Sequence, residues 1–110
     1  MNQLLETMED YLEVLAANPD KLVVVKVFAG FCRACKAFDV KYRRTAIAYA
    51  GAPVKFCEMD WMKTRDLCKS LQVKKLPHLE FYAGEKGRVE SFVCGPSKSG
   101  LLSEKLEEHL

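Results

Sequence analysis

Hydrophobic residues near the start of the chain follow two spacings, and each spacing predicts a different secondary structure. The first apolar residues recur every three or four positions with acidic residues between them: Leu4, Leu5, Met8, Leu12 and Leu15. This spacing predicts an amphipathic helix that ends near Asn18-Pro19. Residues 22–28 form a nearly continuous, Val-rich apolar run, which predicts a strand buried on both faces.

The same two patterns alternate along the rest of the chain. A long helical pattern covers about 33–50 and stops at Gly51-Ala52-Pro53. The remaining predicted elements are a strand over 54–59, a short helix over 60–71, two strands over 79–82 and 89–93 that flank a Gly-rich hairpin turn, and a last helix over 101–110. The order α-β-α-β-α-β-β-α predicts an α/β fold with a four-stranded mixed sheet and helices on both faces.

Composition limits the size and the function class. The chain has 110 residues, 49% of them hydrophobic, which suits one domain over 1–110 with its own core. The net charge of +2 is too small to indicate nucleic-acid binding. No apolar run is long enough to span a bilayer, and no signal or transit segment is recognised. We therefore expect no nucleic-acid or membrane partner, and nothing in the pattern requires more than a monomer.

The cysteines are the most informative part of the composition. Five cysteines, an odd number without regular spacing, favour a reducing compartment over a secreted, disulfide-stapled domain. Two of them form Cys32-Arg33-Ala34-Cys35, directly after the predicted buried strand. A helix that begins there favours the Cys32 thiolate through its N–H groups and positive dipole end. Such a thiolate attacks a disulfide of another protein, and Cys35 then releases the product.

Two other interpretations of the pair stay open at this point: a structural disulfide, and half of a zinc site. A zinc site needs a second pair of ligands at suitable spacing. The remaining candidates are scattered along the chain: Cys57, Cys68, His78, Cys94 and His109. We therefore expect no metal.

Several motifs together resemble the thioredoxin family. A C-x-x-C pair followed about forty residues later by Leu-Pro, at the start of a hairpin, is a specific combination. The matching positions are Val27-Phe28-Ala29, residues 31–36, Asp60, Val73, Leu76-Pro77, Phe81-Tyr82, Gly84 and Gly95. Segments 68–77 and 81–94 more narrowly resemble the atypical, cysteine-rich thioredoxins of plant and algal plastids.

The resemblance implies a thioredoxin fold from which the family's first strand is missing. It implies a thiol-disulfide oxidoreductase that reduces disulfides of target proteins, uses no cofactor besides the Cys32–Cys35 disulfide, and is recharged by a thiol or a reductase. It also favours the plastid stroma over the cytosol. For the site, it implies that Pro77 is cis and leaves the Leu76 backbone open to a target strand. Phe31, Leu76, Pro77 and Gly95 are then the target-binding residues.

Three cations are candidates for tuning the site. Arg33 and Lys36 stand beside the cysteines and favour the thiolate, which predicts a protein less reducing than typical thioredoxin, whose potential is about −270 mV. Lys26 stands where the family has a buried carboxylate that helps Cys35 lose its proton. A buried lysine could serve as a base or stabilise the Cys35 thiolate, and a lysine that reaches the sheet edge would have no chemical role.

The other thiols and the Lys26 departure leave alternatives open. Cys57 is predicted to be a small buried hydrophobe. Cys68 and Cys94 are candidate regulatory thiols or inert buried ones. Besides a reductase, the sequence is compatible with a redox-sensing thioredoxin-like adaptor of slow turnover, and with an iron–sulfur or zinc carrier on the same fold.

Overall fold

A five-stranded mixed sheet runs through the centre of the protein in the order β1-β3-β2-β4-β5. The structure is a computed structural model and describes residues 2–110. The strands are β1 (Gln3–Leu5), β2 (Leu22–Phe28), β3 (Val54–Asp60), β4 (His78–Ala83) and β5 (Arg88–Val93). The helices are α1 (Met8–Ala17), α2 (Arg33–Ala48), α3 (Arg65–Ser70) and α4 (Gly100–His109). β3 pairs in parallel with β1 and β2, whereas β4 is antiparallel to β2 and β5.

The predicted absence of the first strand is wrong, and the sheet has five strands instead of four. Leu4 and Leu5, assigned from their spacing to the first helix, lie in β1, where Leu5 is fully buried and aligned with Met59 of β3. The helix begins only at Met8, because the Thr7 hydroxyl caps it by accepting a hydrogen bond from the Asp10 amide. A three-residue strand is too short for its alternation to be distinguished from a helical pattern.

Two apolar cores lie on opposite faces of the sheet. Because side chains alternate along a strand, Val23, Val25 and Val27 of β2 face α1 and α3, whereas Leu22 and Val24 face α2 and α4. β2 is central and buried along nearly its whole length, as its continuous apolar run predicts. The one charged residue in that run, Lys26, lies on the α2 face and is also buried.

A second buried charge stabilises the β4–β5 hairpin. Glu80 of β4 is fully buried and accepts hydrogen bonds from Ser91 Oγ at 2.5 Å and from His78 Nε2 at 2.5 Å. Arg88 Nε lies 2.6 Å from the other oxygen of the same carboxylate. Buried charges are tolerated when they are paired and hydrogen-bonded in this way. The His78 ring is therefore committed to the hairpin, two residues from Leu76.

Candidate active site

The Cys32–Cys35 pair lies where the chain passes from the end of β2 into the start of α2. Cys32 is the N-cap residue of α2, with extended backbone angles, and it is joined to Cys35 by a disulfide with a Cα–Cα distance of 5.2 Å. The Cys35 amide donates a hydrogen bond to Cys32 Sγ over 3.1 Å. Cys32 Sγ therefore receives an N–H group at the positive end of a 16-residue helix, which is the environment that favours a thiolate.

The two sulfurs differ in access. Cys32 is partly exposed, whereas Cys35, one turn into the helix, is 3% exposed. An incoming disulfide can therefore reach Cys32 but not Cys35. Arg33 and Lys36 are exposed on the same first turn, so two positive charges flank the pair.

An apolar groove opens beside Cys32. It has a volume of about 390 Å³ and is lined by Phe31, Cys32, Trp61, Val73, Lys74 and Leu76. Phe31 is 70% exposed and packs edge-on against Trp61, with ring centroids 6.1 Å apart. Val73 and Lys74 were not predicted as site residues, because only the folded loop before Pro77 brings them to Cys32.

The predicted cis bond is confirmed at Leu76-Pro77. Leu76 lines the groove, and within residues 2–110 its backbone amide and carbonyl form no backbone hydrogen bond. Pro77 itself is buried, and its carbonyl accepts a hydrogen bond from the Cys94 amide over 3.0 Å. That bond brings Gly95 next to the Pro77 loop, although Gly95 does not line the groove. Its role in target binding stays a prediction.

Lys26 lies on the other side of the pair, in a cavity of about 380 Å³ that Cys35 and Lys36 also line. The lysine is 2% exposed, so the interpretation that it reaches solvent at the sheet edge is wrong. Its Nζ lies 2.5 Å from Asp39 Oδ1 and 2.9 Å from Glu58 Oε1. The buried Lys26 ammonium is therefore paired with two carboxylates, in a cavity that Cys35 also lines.

The two carboxylates that bind Lys26 are not predicted as site residues from the sequence. Asp39 follows Cys35 by four residues, so the helical repeat alone places it on the same face. Glu58 pairs with Lys26 only through the β2–β3 register, for which the sequence carries no signal. Burial alone would raise the pKa of Asp39, but hydrogen bonds from Lys26 and Arg43 outweigh it and hold that pKa below its usual value.

The remaining thiols are all buried. Cys57, Cys68 and Cys94 are free, and each has no exposed surface. Burial raises the pKa of Cys57 and of Cys94 to about 11, and it also raises the pKa of Cys68. Cys68 and Cys94 lie on opposite faces of the sheet, which rules out a disulfide between them in this fold. A regulatory role for either stays a prediction and needs local opening.

Metal-ligating side chains gather at one other place within residues 2–110. Ligand atoms of Glu90, Glu108 and His109 lie within 4.8 Å of one another on β5 and α4. Lys105 Nζ is 3.4 Å from Glu90, so an ammonium already occupies part of this group. This group shares no residue with the Cys32–Cys35 site.

None of the helices that the structure describes within residues 2–110 has both the length and the hydrophobicity that a membrane span requires.

Comparison with known proteins agrees with this geometry. The sequence model described as Thioredoxin matches residues 3–108. A relative named Thioredoxin-like 1-3, chloroplastic, from Arabidopsis thaliana, is 38% identical over 92% of this chain and 36% of its own length. Thioredoxin-like 2, chloroplastic, from Oryza sativa subsp. japonica, is 29% identical over 96% of this chain and 48% of its own. The chain thus spans between about a third and a half of these relatives, and the narrower resemblance to plastid proteins is confirmed.

Solved structures share the fold. Thioredoxin from Fasciola hepatica superposes with a TM-score of 0.88 at 23% identity, covering 98% of this chain and 99% of that one. A reduced thioredoxin from Schistosoma mansoni gives 0.87 at 20% identity, with both chains covered completely. The predicted fold class is confirmed, with the strand count corrected as above.

Proposed function

Because the chain belongs to the thioredoxin family, we propose that it reduces disulfides of target proteins by dithiol–disulfide exchange at Cys32 and Cys35. The observation that carries this proposal is the unequal exposure of two bonded sulfurs at the start of α2. In the reduced protein, the Cys32 thiolate attacks one sulfur of the target disulfide and the other leaves as a thiol. Cys35 then attacks Cys32 Sγ, and the second target sulfur leaves as a thiol. Two electrons pass to the target, and Cys32–Cys35 closes.

The shape and lining of the groove suggest that it binds a segment of the target in extended conformation. The free amide and carbonyl of Leu76 suit strand-like pairing, which supplies affinity without sequence preference. The exposed Phe31 ring suits contact with an apolar side chain. Arg33, Lys36 and Lys74 surround the sulfur with positive charge, so targets carrying acidic residues near the disulfide associate faster.

Insulin reduction with dithiothreitol tests the activity. We expect wild type to accelerate precipitation of the insulin B chain, and Cys32→Ser to remove the acceleration. Cys35→Ser should instead accumulate mixed disulfides with targets, because the resolving sulfur is gone. Cys68→Ser is the matched control and should behave as wild type, since that thiol is buried away from the groove. Acceleration by Cys32→Ser equal to wild type would refute the proposal.

We propose further that this protein is a weaker reductant than typical thioredoxin. Exposed cations at Arg33 and Lys36 stabilise the charged thiolate of the reduced form but not the neutral disulfide, which raises the potential above about −270 mV. A titration against glutathione and dithiothreitol measures it directly. A value at or below that of thioredoxin would contradict this part.

A redox-sensing adaptor is the second candidate. The observation that favours it is Lys26, whose ammonium occupies the position of the family's buried carboxylate. In that case turnover with insulin is slow, and the protein binds a partner tightly in only one redox state. The two candidates separate by measuring turnover and redox-dependent binding on the same preparation.

The proposed compartment rests on the names of the plant relatives, and the proposed electron donor rests on the exchange chemistry. We propose the plastid stroma as the compartment, and its support is that the relatives at 29% and 38% identity are named chloroplastic. A thiol or a disulfide reductase of that compartment recharges Cys32–Cys35. Immunolocalisation of the native protein tests the compartment, and a cytosolic signal alone would refute it.

A further inference from the structure

The charged cluster beneath Cys35 is more elaborate than a single ion pair. Lys26 of β2 holds Asp39 of α2 and Glu58 of β3 at 2.5 and 2.9 Å. All three side chains line the cavity that Cys35 also lines. At about 380 Å³, the cavity has room for several water molecules, which carry protons between groups that do not touch.

The two carboxylates are not equivalent. Asp39 also accepts a hydrogen bond from Arg43 Nε over 2.6 Å, so both of its oxygens are bound to cations and its pKa is lowered. Glu58 is bound by Lys26 through one oxygen, and its side chain is 17% exposed. Proton transfer requires an acceptor with a free lone pair. Of the two carboxylates, Glu58 is the one with an oxygen that no cation of residues 2–110 binds, so it can accept a proton there.

The other groups around Glu58 are poor proton acceptors. Lys26, Lys36 and Arg43 are cations from β2 and α2, and Leu4, its neighbour on β1, is apolar. The Tyr42 ring centroid lies 5.0 Å from Lys26 Nζ, and burial raises the pKa of that phenol well above its usual value. Tyr42 donates its hydroxyl proton to the Cys57 carbonyl over 2.8 Å, so it is committed elsewhere.

We propose that Glu58 accepts the proton of Cys35 during the resolving step, and that Lys26 is the positioning residue that holds the Glu58 carboxylate beneath the sulfur. The assignment rests on the proposed reductase function. The proton leaves Cys35 Sγ for Glu58 by way of water in the cavity. The resulting thiolate attacks Cys32 Sγ, the bond between Cys32 and the target sulfur breaks, and that sulfur leaves with the bonding electrons. Glu58 returns its proton to the departing thiolate.

Stopped-flow reaction of the reduced protein with dithiobis(nitrobenzoate) separates the two steps. Attack by Cys32 releases one coloured nitrothiobenzoate, and attack by Cys35 on the resulting mixed disulfide releases the second. Cys35→Ser identifies the phases, because it should release only the first. The thiols of Cys57, Cys68 and Cys94 are buried, so we expect them not to react on this time scale.

We expect Glu58→Gln to slow the second release by about tenfold or more at pH 7, and to leave the first release within twofold of wild type. Without the acceptor, the second rate should rise about tenfold for each pH unit, because hydroxide takes over the role. Asp39→Asn should slow the second release by no more than about threefold. Glu90→Gln, a carboxylate on β5, is the matched control and should change neither phase.

Several results would overturn the assignment. One is a second release in Glu58→Gln that is slowed by less than about tenfold, and another is equal slowing in Asp39→Asn. If Glu58→Gln does not fold, Glu58→Asp and Lys26→Arg replace it: both keep their charges, and each should slow only the second release. Loss of the first release in wild type would instead refute the proposed function, so the two failures are distinguishable.

Discussion

Replacing Lys26 by Met tests how much the buried ammonium contributes to stability. Met has nearly the volume of Lys and suits the surroundings, where the Phe28 and Tyr42 ring centroids lie 5.6 and 5.0 Å from Nζ. The substitution therefore removes the charge without opening a cavity. It leaves Asp39 and Glu58 facing each other without the cation that neutralised them.

The expected cost follows from the exposure of the carboxylates. Breaking a fully buried ion pair by removing one partner costs about 3–5 kcal/mol. Here the Asp39 and Glu58 side chains are 28% and 17% exposed, and Arg43 still binds Asp39. Solvent and Arg43 thus screen part of the repulsion, and we expect a loss of about 2–3 kcal/mol.

Urea denaturation of the oxidised protein at pH 7 measures this loss. With an m-value of about 1.5 kcal/mol/M, the midpoint should fall by about 1.3–2 M while the m-value stays the same. The neutral triple variant Lys26→Met/Asp39→Asn/Glu58→Gln should recover most of the stability, because no unpaired charge remains. A midpoint change below about 0.5 M in the single variant would show that the ammonium does not offset the charge of the two carboxylates.

Three further measurements probe other features. Asp39→Asn should destabilise the protein at neutral pH, because ion pairs hold the folded pKa of Asp39 below its usual value of 3.8. The difference should shrink below pH 3.8 and disappear only below that lowered pKa, where the carboxyl is protonated in the folded and the unfolded chain alike. A constant difference in urea titrations across pH would contradict this. Thiol titration of the oxidised native protein should find no rapidly reacting group, and unfolding should expose three; a fast thiol in the native protein would show that a buried cysteine opens. Arg33→Ala should make the Cys32–Cys35 potential more negative by about 5–20 mV, since an exposed cation stabilises the thiolate by about 0.3–1 kcal/mol. An unchanged potential in a redox titration would show that Arg33 does not tune the site.

The active-site pair and its setting could be predicted from the sequence because their determinants are local. The apolar run of β2, the following Cys32-x-x-Cys35 and the start of α2 lie within 15 residues of chain. The strand therefore delivers Cys32 to the helix terminus whatever the rest of the fold does, and the helical repeat buries Cys35. The cis bond before Pro77 was predicted from family resemblance rather than from the residues around it.

Elements that depend on distant pairing were predicted poorly. β1 has only three residues, and its identity comes from alignment with β3 more than 50 positions away. Its apolar residues are equally compatible with a helical pattern, so local spacing assigned them to α1. Trp61 likewise reaches Phe31 only because β3 ends beside the start of α2.

Which sulfur begins a helix, and which one that helix buries, can be predicted from local sequence, because helix geometry acts over four residues. What surrounds the buried sulfur depends on how the strands pair. Lys26 and Glu58 are 32 positions apart, and they meet because β2 and β3 pair in parallel with those two residues in register. A lone lysine in a buried strand is costly; the register that brings two carboxylates to it is what makes the charge tolerable beneath Cys35.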